Sequence, residues 1–463
     1  MATIYFVGTY KPIKCGIADY TAFITRECDN GKWGVLSFDL EKFGAPLVGD
    51  FTPKPDHVWY GIPKPTEISA PVIEKGLKEL SADYENDILW FQHETAIWHD
   101  TDKFVTMLKH LEKPKVVTFH TLHFQSHETP SGLRKYQYEL FRDLFPYVEA
   151  ITVFSQGVYD AVTSAFPEHF SKVLLIKHGI HLYPEVACLS RSEAREELND
   201  FLLYESDLDE ITKNNMHKQK ILVDKDAIIV GQTGFLCPFK HSESLFYVRD
   251  RLQKMLPQKR VVALRIGSPR DGAQEAYAQS LREEHGGDGS YLLETLLPAN
   301  ILPLAQRAFD INFYWPTECT QSGVLAHALG AGAAIAGRDM EGVGETLKEA
   351  GQLVDANLEH VITRMRDLVL NPDIADVVEE SAIEYATKYS WKHQTLAHYQ
   401  LAEQLTHSLS LPTARYPSDP LQTAIHLLSN NNPDQVISPN IDPDSIRKVD
   451  RAIPGKPPTI GVN

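Results

Sequence analysis

Apolar residues fall in short unbroken runs that alternate with amphipathic stretches through the first 180 or so residues. The runs Ile4–Val7, Val35–Phe38, Ile88–Phe91, Val116–Phe119, Ile151–Phe154 and Val173–Ile176 predict strands. Their near-continuous apolarity is that of parallel strands covered by helices on both faces. Between them, Lys103–Leu111, Gly132–Leu144 and Gln156–Ala165 carry apolar residues at helical spacing. This rhythm predicts a doubly wound α/β lobe over 1–183.

The rhythm breaks between Pro184 and Lys220, where "SRSEAREELNDFLLYESDLDEITKNNMHKQK" is charged and has no strand pattern. It reads as a partly helical insertion or linker over 184–221. Alternation resumes with Ile228–Val230, Val261–Ile266, Ile311–Trp315, Ala333–Ala336 and Leu353–Val354, separated by helix-like Ser242–Leu256, Ala299–Ala308 and Ser322–Leu329. A second lobe of the same class is therefore expected over 222–388. A helix ends near Lys388, another covers 389–408, and the Pro-, Asn-, Asp- and Ser-rich tail 409–463 reads as extended or partly disordered chain.

Composition narrows the function. With 463 residues, 43% hydrophobic and 23% charged, the chain is an ordinary globular protein of two or three domains. The net charge of −17 disfavours nucleic acid and anionic lipid, so any anionic ligand must meet a local positive site. The cysteines, Cys15, Cys28, Cys188, Cys237 and Cys319, are scattered and form no CxxC pair. They suggest neither a zinc site nor a disulfide framework, and a reducing cytoplasm is the expected setting. The amino terminus has no basic-then-apolar leader, and no apolar run reaches the ~18 residues of a membrane span. One basic amphipathic stretch, Thr101–Lys115, could touch lipid through Phe104, Leu108 and Leu111, but packing against the sheet is the plainer reading.

In open α/β sheets ligands sit beyond the carboxyl ends of the strands. In the first lobe the segments there are Thr9–Tyr20, "QHET" at Gln92–Thr95 and "TFHTLH" at Thr118–His123. Gly16 lets a ligand approach the backbone, and Asp19 lies where a carboxylate can cap a helix; a plain strand–helix turn accounts for both equally well. His120 is either a ligand-facing imidazole or a strand-end histidine bonded to the backbone, and general experience of buried polar groups favours the second. His93, Glu94, His120 and His123 could in principle gather round a metal, although no HExxH-type spacing supports it. In the second lobe "GQTGFLCPFKHSE", Gly231–Glu243, places Lys240 at a helix mouth after a strand. An ammonium and free helix amides together make a diphosphate site. In "PTECTQSGVLAHALGAG", Pro316–Gly332, Ser322 and Gly323 precede a further helix in the same way.

Taken in order, these segments resemble the retaining GT-B glycosyltransferases of family 4 over roughly Met1–Leu405. "CGIADYT" is similar to their first glycine loop, "LWFQHE" to a "QHE" segment of one bacterial subgroup and "TFHT" to their sugar-site histidine segment. "GFLCPFKH" is similar to their phosphate loop, and "SGVLAHALGAGAAIAG" to their helix, turn and strand "EAMACGxPVVA". The resemblance implies two Rossmann-like lobes facing a cleft, with a carboxy-terminal helix crossing back to the first. It implies transfer of a sugar from a UDP- or GDP-sugar to a hydroxyl acceptor with retention, without metal or cofactor. It assigns His120 and Lys240 to the reaction centre. Donor contacts fall on Gly16, Ile17, Phe235, Lys240, Glu318, Gln321, Ser322, Gly323 and Val324, and acceptor contacts on Asp19, Tyr20, His93 and Glu94. Three departures stand out: Phe235 where many relatives have Arg, His241 where they have Gly, and Cys319 and His327 near the places of their glutamate pair, for which Glu318 and Gln321 are neighbouring substitutes. These leave two other readings, a sugar-nucleotide 2-epimerase of the same fold and a non-catalytic subunit that binds a glycan or protein.

Overall fold

A computed structural model describes residues 2–29, 31–48, 55–81, 86–285, 287 and 289–410, and among them thirteen strands form two all-parallel sheets. The first contains β1 (Thr3–Val7), β2 (Trp33–Phe38), β3 (Val58–Ile62), β4 (Asp87–His93), β5 (Lys115–Phe119), β6 (Ala150–Val153) and β7 (Val173–Leu175) in the spatial order 3-2-1-4-5-6-7. The second contains β8 (Ala227–Thr233), β9 (Arg260–Ile266), β10 (Ser290–Leu293), β11 (Ile311–Tyr314), β12 (Ile335–Arg338) and β13 (Leu353–Asp355) in the order 10-9-8-11-12-13. Both have the strand reversal of a doubly wound sheet, and the switch points lie between β1 and β4 and between β8 and β11. Central strands such as β1 and β4 are buried along their whole length, as strands with helices on both faces require.

Two strands went unread in the sequence, β3 and β10, and each is an edge strand with one neighbour. Their partial burial removes the continuous apolar run that marks the inner strands. The charged segment 184–221 is not a linker. Its helices Arg191–Asp200 and Glu210–Gln219 bury Ala194, Leu198 and Met216 in one cluster with Ile229, Val262 and Leu264 of β8 and β9. They form a covering layer of the second lobe. Arg195, nearly inaccessible, is held by the Ala308 and Ala227 carbonyls and by the Asp310 carboxylate.

The helix Pro372–Lys388 packs on the second lobe against Gly323–Gly330, and the next helix, Trp391–Ser410, returns to the first. There Thr395 Oγ1 donates to Ile24 O at 3.3 Å, Tyr399 OH donates to Lys32 O at 3.2 Å, and His398 lies against Trp90, ring centroids 4.4 Å apart. Trp391 fills the space over Gly179, where any Cβ would meet its ring. From residue 411 onward the tail read as extended chain lies outside the described residues.

The basic amphipathic stretch turns its apolar residues inward. Phe104, Leu108 and Leu111 are in the core, and Lys115 is inside β5 with its ammonium on the Leu111 and Lys113 carbonyls. Among the described residues no helix is long and apolar enough to cross a membrane.

Candidate functional site

The loop after β8 is shaped by an arginine buried in an apolar strand. Arg265 of β9 is fully buried and donates to Gln232 O at 3.2 Å, Ile266 O at 2.6 Å, Phe235 O at 2.8 Å and Ser242 Oγ at 2.9 Å. Three of these four bonds, to Gln232, Phe235 and Ser242, fix both ends of the segment 232–242. Gln232 Nε2 donates to Lys240 O at 3.1 Å, and Thr317 N, from the loop after β11, donates to Phe239 O at 2.8 Å.

That frame places the Lys240 ammonium. Gly234 has φ +101°, and a Cβ there would lie 2.8 Å from Lys240 Nζ and 3.2 Å from Val324 Cγ2. The glycine is needed for both its conformation and its space. The ammonium and the first turn of the helix Gly323–Gly330 therefore face one point. Lys240 is 8% exposed, and no carboxylate or carbonyl is paired with its ammonium among the described residues. Burial, reinforced by Arg265, lowers its pKa to about 8.

Both glycine helix starts are open. Gly16 and Gly323 are each the first residue of their helix, and a Cβ built on either meets nothing within 4 Å. Ser322 Oγ caps its helix through Leu325 N at 3.5 Å. Cys15 stands at the cap of the other helix with no side-chain capping bond, its sulfur accepting instead from Thr9 Oγ1 at 3.5 Å, which leaves the first amides without a cap. Asp19 does not cap that helix. It lies inside the first turn, half-exposed, paired with Lys11 at 3.0 Å. Ile17 is partly buried against the core of the first lobe.

The His120 ring is bonded to a side chain and not to the backbone. Its Nε2 is 2.7 Å from Gln92 Oε1 and its backbone N donates to His93 O at 3.0 Å. Burial, followed by the neighbouring His178, His93 and His398, holds its pKa well below the usual range, so the ring is neutral. With Nε2–H on Gln92, Nδ1 is the lone-pair nitrogen, and it has no partner among the described residues. Tyr20 stands edge-on to this ring, centroids 4.6 Å apart, with its own hydroxyl buried and unpaired.

Other expected residues are placed differently. His93 is a core imidazole, 4% exposed between Phe104 and Phe119, with its pKa pushed down to about 3 by burial. Glu94 accepts from Thr121 Oγ1 at 2.6 Å. Glu318 is engaged through one oxygen: His123 Nε2 is 3.1 Å from Oε1 and Arg134 binds the same atom. Gln321 lies beside Gly342 in the first turn of the helix Glu341–Glu349 that follows β12. At the places of the glutamate pair, Cys319 Sγ donates to Gln321 O, and His327 Nδ1 is hydrogen-bonded to Tyr183 OH at 2.6 Å while stacked on His181. Among the described residues no three His, Cys, Asp or Glu side chains come together as a metal-holding group.

The sequence did not disclose three features. Glu341, buried and at φ +40°, joins His123 across the lobes. Glu345 accepts from Gln156 N and Gly157 N, both at 2.7 Å, at the start of a first-lobe helix. Arg270, in the loop after β9, stacks on Phe235, with Lys14 of the glycine loop over the same ring. Position after a strand end was the available signal for Arg270; nothing local marks the other two.

The sequence matches no family model and no curated protein. Solved structures resemble the whole two-lobe unit. HepE from Anabaena in complex with UDP is 14% identical, with TM-score 0.59 over 88% of this chain and 100% of that one. Sucrose-phosphate synthase from Thermosynechococcus elongatus is 16% identical, with TM-score 0.63 over 88% and 100%. A UDP-forming trehalose-phosphate synthase from Burkholderia xenovorans in complex with glucose-6-phosphate is 10% identical, with TM-score 0.59 over 87% and 100%. The chain has the two-lobe α/β fold of these enzymes, GT-B.

Proposed function

We propose that the protein is a retaining glycosyltransferase that moves a sugar from a nucleotide-sugar donor, a UDP-sugar first among candidates, to a hydroxyl of a sugar or sugar-phosphate acceptor. The observation that carries this reading is the unpaired, nearly buried Lys240 ammonium facing the open start of the Gly323 helix. Leaving a buried cation unpaired is costly unless a ligand supplies the counter-charge. The UDP bound by HepE and the glucose-6-phosphate bound by the Burkholderia enzyme support the two substrate classes.

In this reading the bond between the anomeric carbon and the β-phosphate oxygen breaks while the acceptor oxygen bonds to the same face of that carbon. The acceptor's proton passes to the departing phosphate oxygen, so no carboxylate nucleophile takes part. Lys240 and the amides from Ser322 to Val324 stabilise the charge that grows on the diphosphate, a preorganised effect worth several kcal/mol. The free Nδ1 of His120 accepts from a sugar hydroxyl, and the open Gly16 amides take a further ligand oxygen. Asp19, Tyr20 and Glu94 remain candidates for the acceptor side.

The test is a panel of UDP-, GDP- and ADP-sugars with sugar and sugar-phosphate acceptors, in EDTA, read by nucleotide release and by the anomeric proton signal of the product. Release of UDP with a product of the donor's anomeric configuration is expected. No release and no product from any pair would overturn the proposal, and an altered free nucleotide sugar would make the protein an epimerase.

A further inference from the structure

We propose that Arg270 and Lys14 are additional ligands of the diphosphate, steadied by the Phe235 ring, so that the donor's charge is met from both lobes. This rests on the reading that a nucleoside diphosphate binds at Lys240. Arg270 leaves the carboxyl end of β9 in the second lobe, and its guanidinium carbon stands 4.4 Å from the Phe235 centroid. Lys14 lies two positions before Gly16 in the first lobe, with its ammonium 5.6 Å from the same centroid. Both are within the range of a cation–π contact. Phe235 directly follows Gly234, the residue against which Lys240 Nζ is set. Arg270 also contributes to the lowering of the Lys240 pKa, so its charge is felt there.

Neither cation has an ion-pair partner among the described residues, although the chain carries 62 acidic side chains to 45 basic ones. Other basic groups nearby are engaged: Lys11 pairs with Asp19, Arg134 with Glu318, and Arg265 spends its guanidinium on carbonyls and Ser242. Three like charges gathered without a carboxylate repel one another until a multiply charged anion enters. An aromatic ring suits the gap, because it holds a guanidinium and an ammonium by their apolar stems and its π face without neutralising either. The planar guanidinium can grip two phosphate oxygens at once, whereas Lys14 acts as a point charge from the opposite lobe. Binding of the diphosphate then ties the glycine loop of the first lobe to the phosphate loop of the second.

Calorimetric titration of the full chain with UDP and, separately, with inorganic pyrophosphate tests this on Arg270→Ala, Lys14→Ala, Phe235→Leu, Phe235→Tyr and Lys240→Met. Arg270→Ala and Lys14→Ala should each weaken both probes about tenfold, as loss of one charged contact does, and should flatten the dependence of Kd on salt. Phe235→Leu should weaken both in the same direction, and Phe235→Tyr should restore the parental Kd. Parental affinity and salt dependence in Arg270→Ala and Lys14→Ala, with loss only in Lys240→Met, would overturn the inference and leave the glycosyltransferase reading standing. Parental binding of pyrophosphate but not UDP, weakened by both variants, would keep the cation pair and remove the nucleotide. Binding of neither probe by the parent would overturn both.

Discussion

His123 of the first lobe holds Glu341 of the second, Nδ1 to Oε2 at 3.0 Å, and the same carboxylate accepts from Phe124 N at 3.3 Å. Glu341 is buried and carries φ +40°, a conformation that costs a non-glycine residue on the order of 1–2 kcal/mol. The strain is held where the carboxylate spans the cleft. Glu318, on the other face of the same imidazole, is 53% exposed in its side chain. Glu341→Gln leaves one of two buried donors unmatched and should lower stability by about 1–3 kcal/mol. Glu318→Gln should change it by less than about 0.5 kcal/mol, because an exposed pair contributes little. Urea midpoints of the two variants decide it, and equal midpoints would remove Glu341 as the tie between the lobes.

Lys240 should make the protein less stable in return for its ligand. Its pKa, about 8 when folded, lies below the 10.5 of a free lysine, so at neutral pH folding carries the cost of burying charge. Lys240→Met keeps the stem and removes the charge. It should raise stability at pH 7 by up to about 3 kcal/mol, since each tenfold loss of proton affinity corresponds to about 1.4 kcal/mol, while abolishing UDP binding. A variant that unfolds more readily than the parent would count against an unpaired ammonium.

The lowered pKa also sets a pH profile. Between about 8 and 10.5 the unfolded chain binds more protons at Lys240 than the folded one, so this group's penalty shrinks and its contribution to stability rises with pH. Nucleotide affinity runs the other way, because the charged form binds the diphosphate and is lost as pH rises through about 8. Calorimetric Kd for UDP should therefore weaken above pH 8 in the parent. A Kd flat to pH 10 would separate Lys240 from the diphosphate.

How much of this was legible in the sequence depended on whether the signal was local. Lys240, Gly16 and Gly323 were readable because each follows a strand end, where the topology itself puts ligands. The inner strands were readable from unbroken apolar runs. Val58–Ile62 and Ser290–Leu293 were not, since these two edge strands are half-solvated and lose that pattern, whereas the other two edges, β7 and β13, each keep two buried apolar residues and were read. The layer at 184–221 was hidden by its charge: Ala194 and Leu198 recur at helical spacing, but the charged residues around them dominate the composition. The pair His123–Glu341 spans 218 residues, and no spacing rule reaches that far. Phe235 read as a missing cation, because the ring's neighbours Arg270 and Lys14 arrive from other loops.

His241 tests how the phosphate loop is held. It adopts φ +50°, ψ 55°, the left-handed region that glycine enters freely. His241→Gly removes a steric cost of about 1–2 kcal/mol but restores roughly 0.5–1 kcal/mol of chain entropy to the unfolded state. The net expectation is a gain of about 0–1.5 kcal/mol, seen as a small rise in the urea midpoint, with UDP affinity unchanged. A fall in the midpoint would show that the imidazole contributes a contact that outweighs its backbone strain.

The bare glycines separate what the fold needs from what a ligand needs. A methyl on Gly16 or Gly323 meets nothing within 4 Å, and neither residue has a positive φ, so the fold does not require them. Alanine is the better helix former by about 1 kcal/mol, so Gly16→Ala and Gly323→Ala should be as stable as the parent or slightly more so. Each nevertheless puts a methyl where a substrate oxygen must approach the first amides of a helix. Substrate affinity should therefore fall about tenfold or more in both, the scale of losing one charge-assisted contact, while the melting temperature holds or rises. Gly234→Ala must behave otherwise, because φ +101° and the 2.8 Å approach to Lys240 Nζ penalise the fold itself. If Gly16→Ala and Gly323→Ala bind UDP-sugar as the parent does, the open helix starts are turns with no ligand to admit.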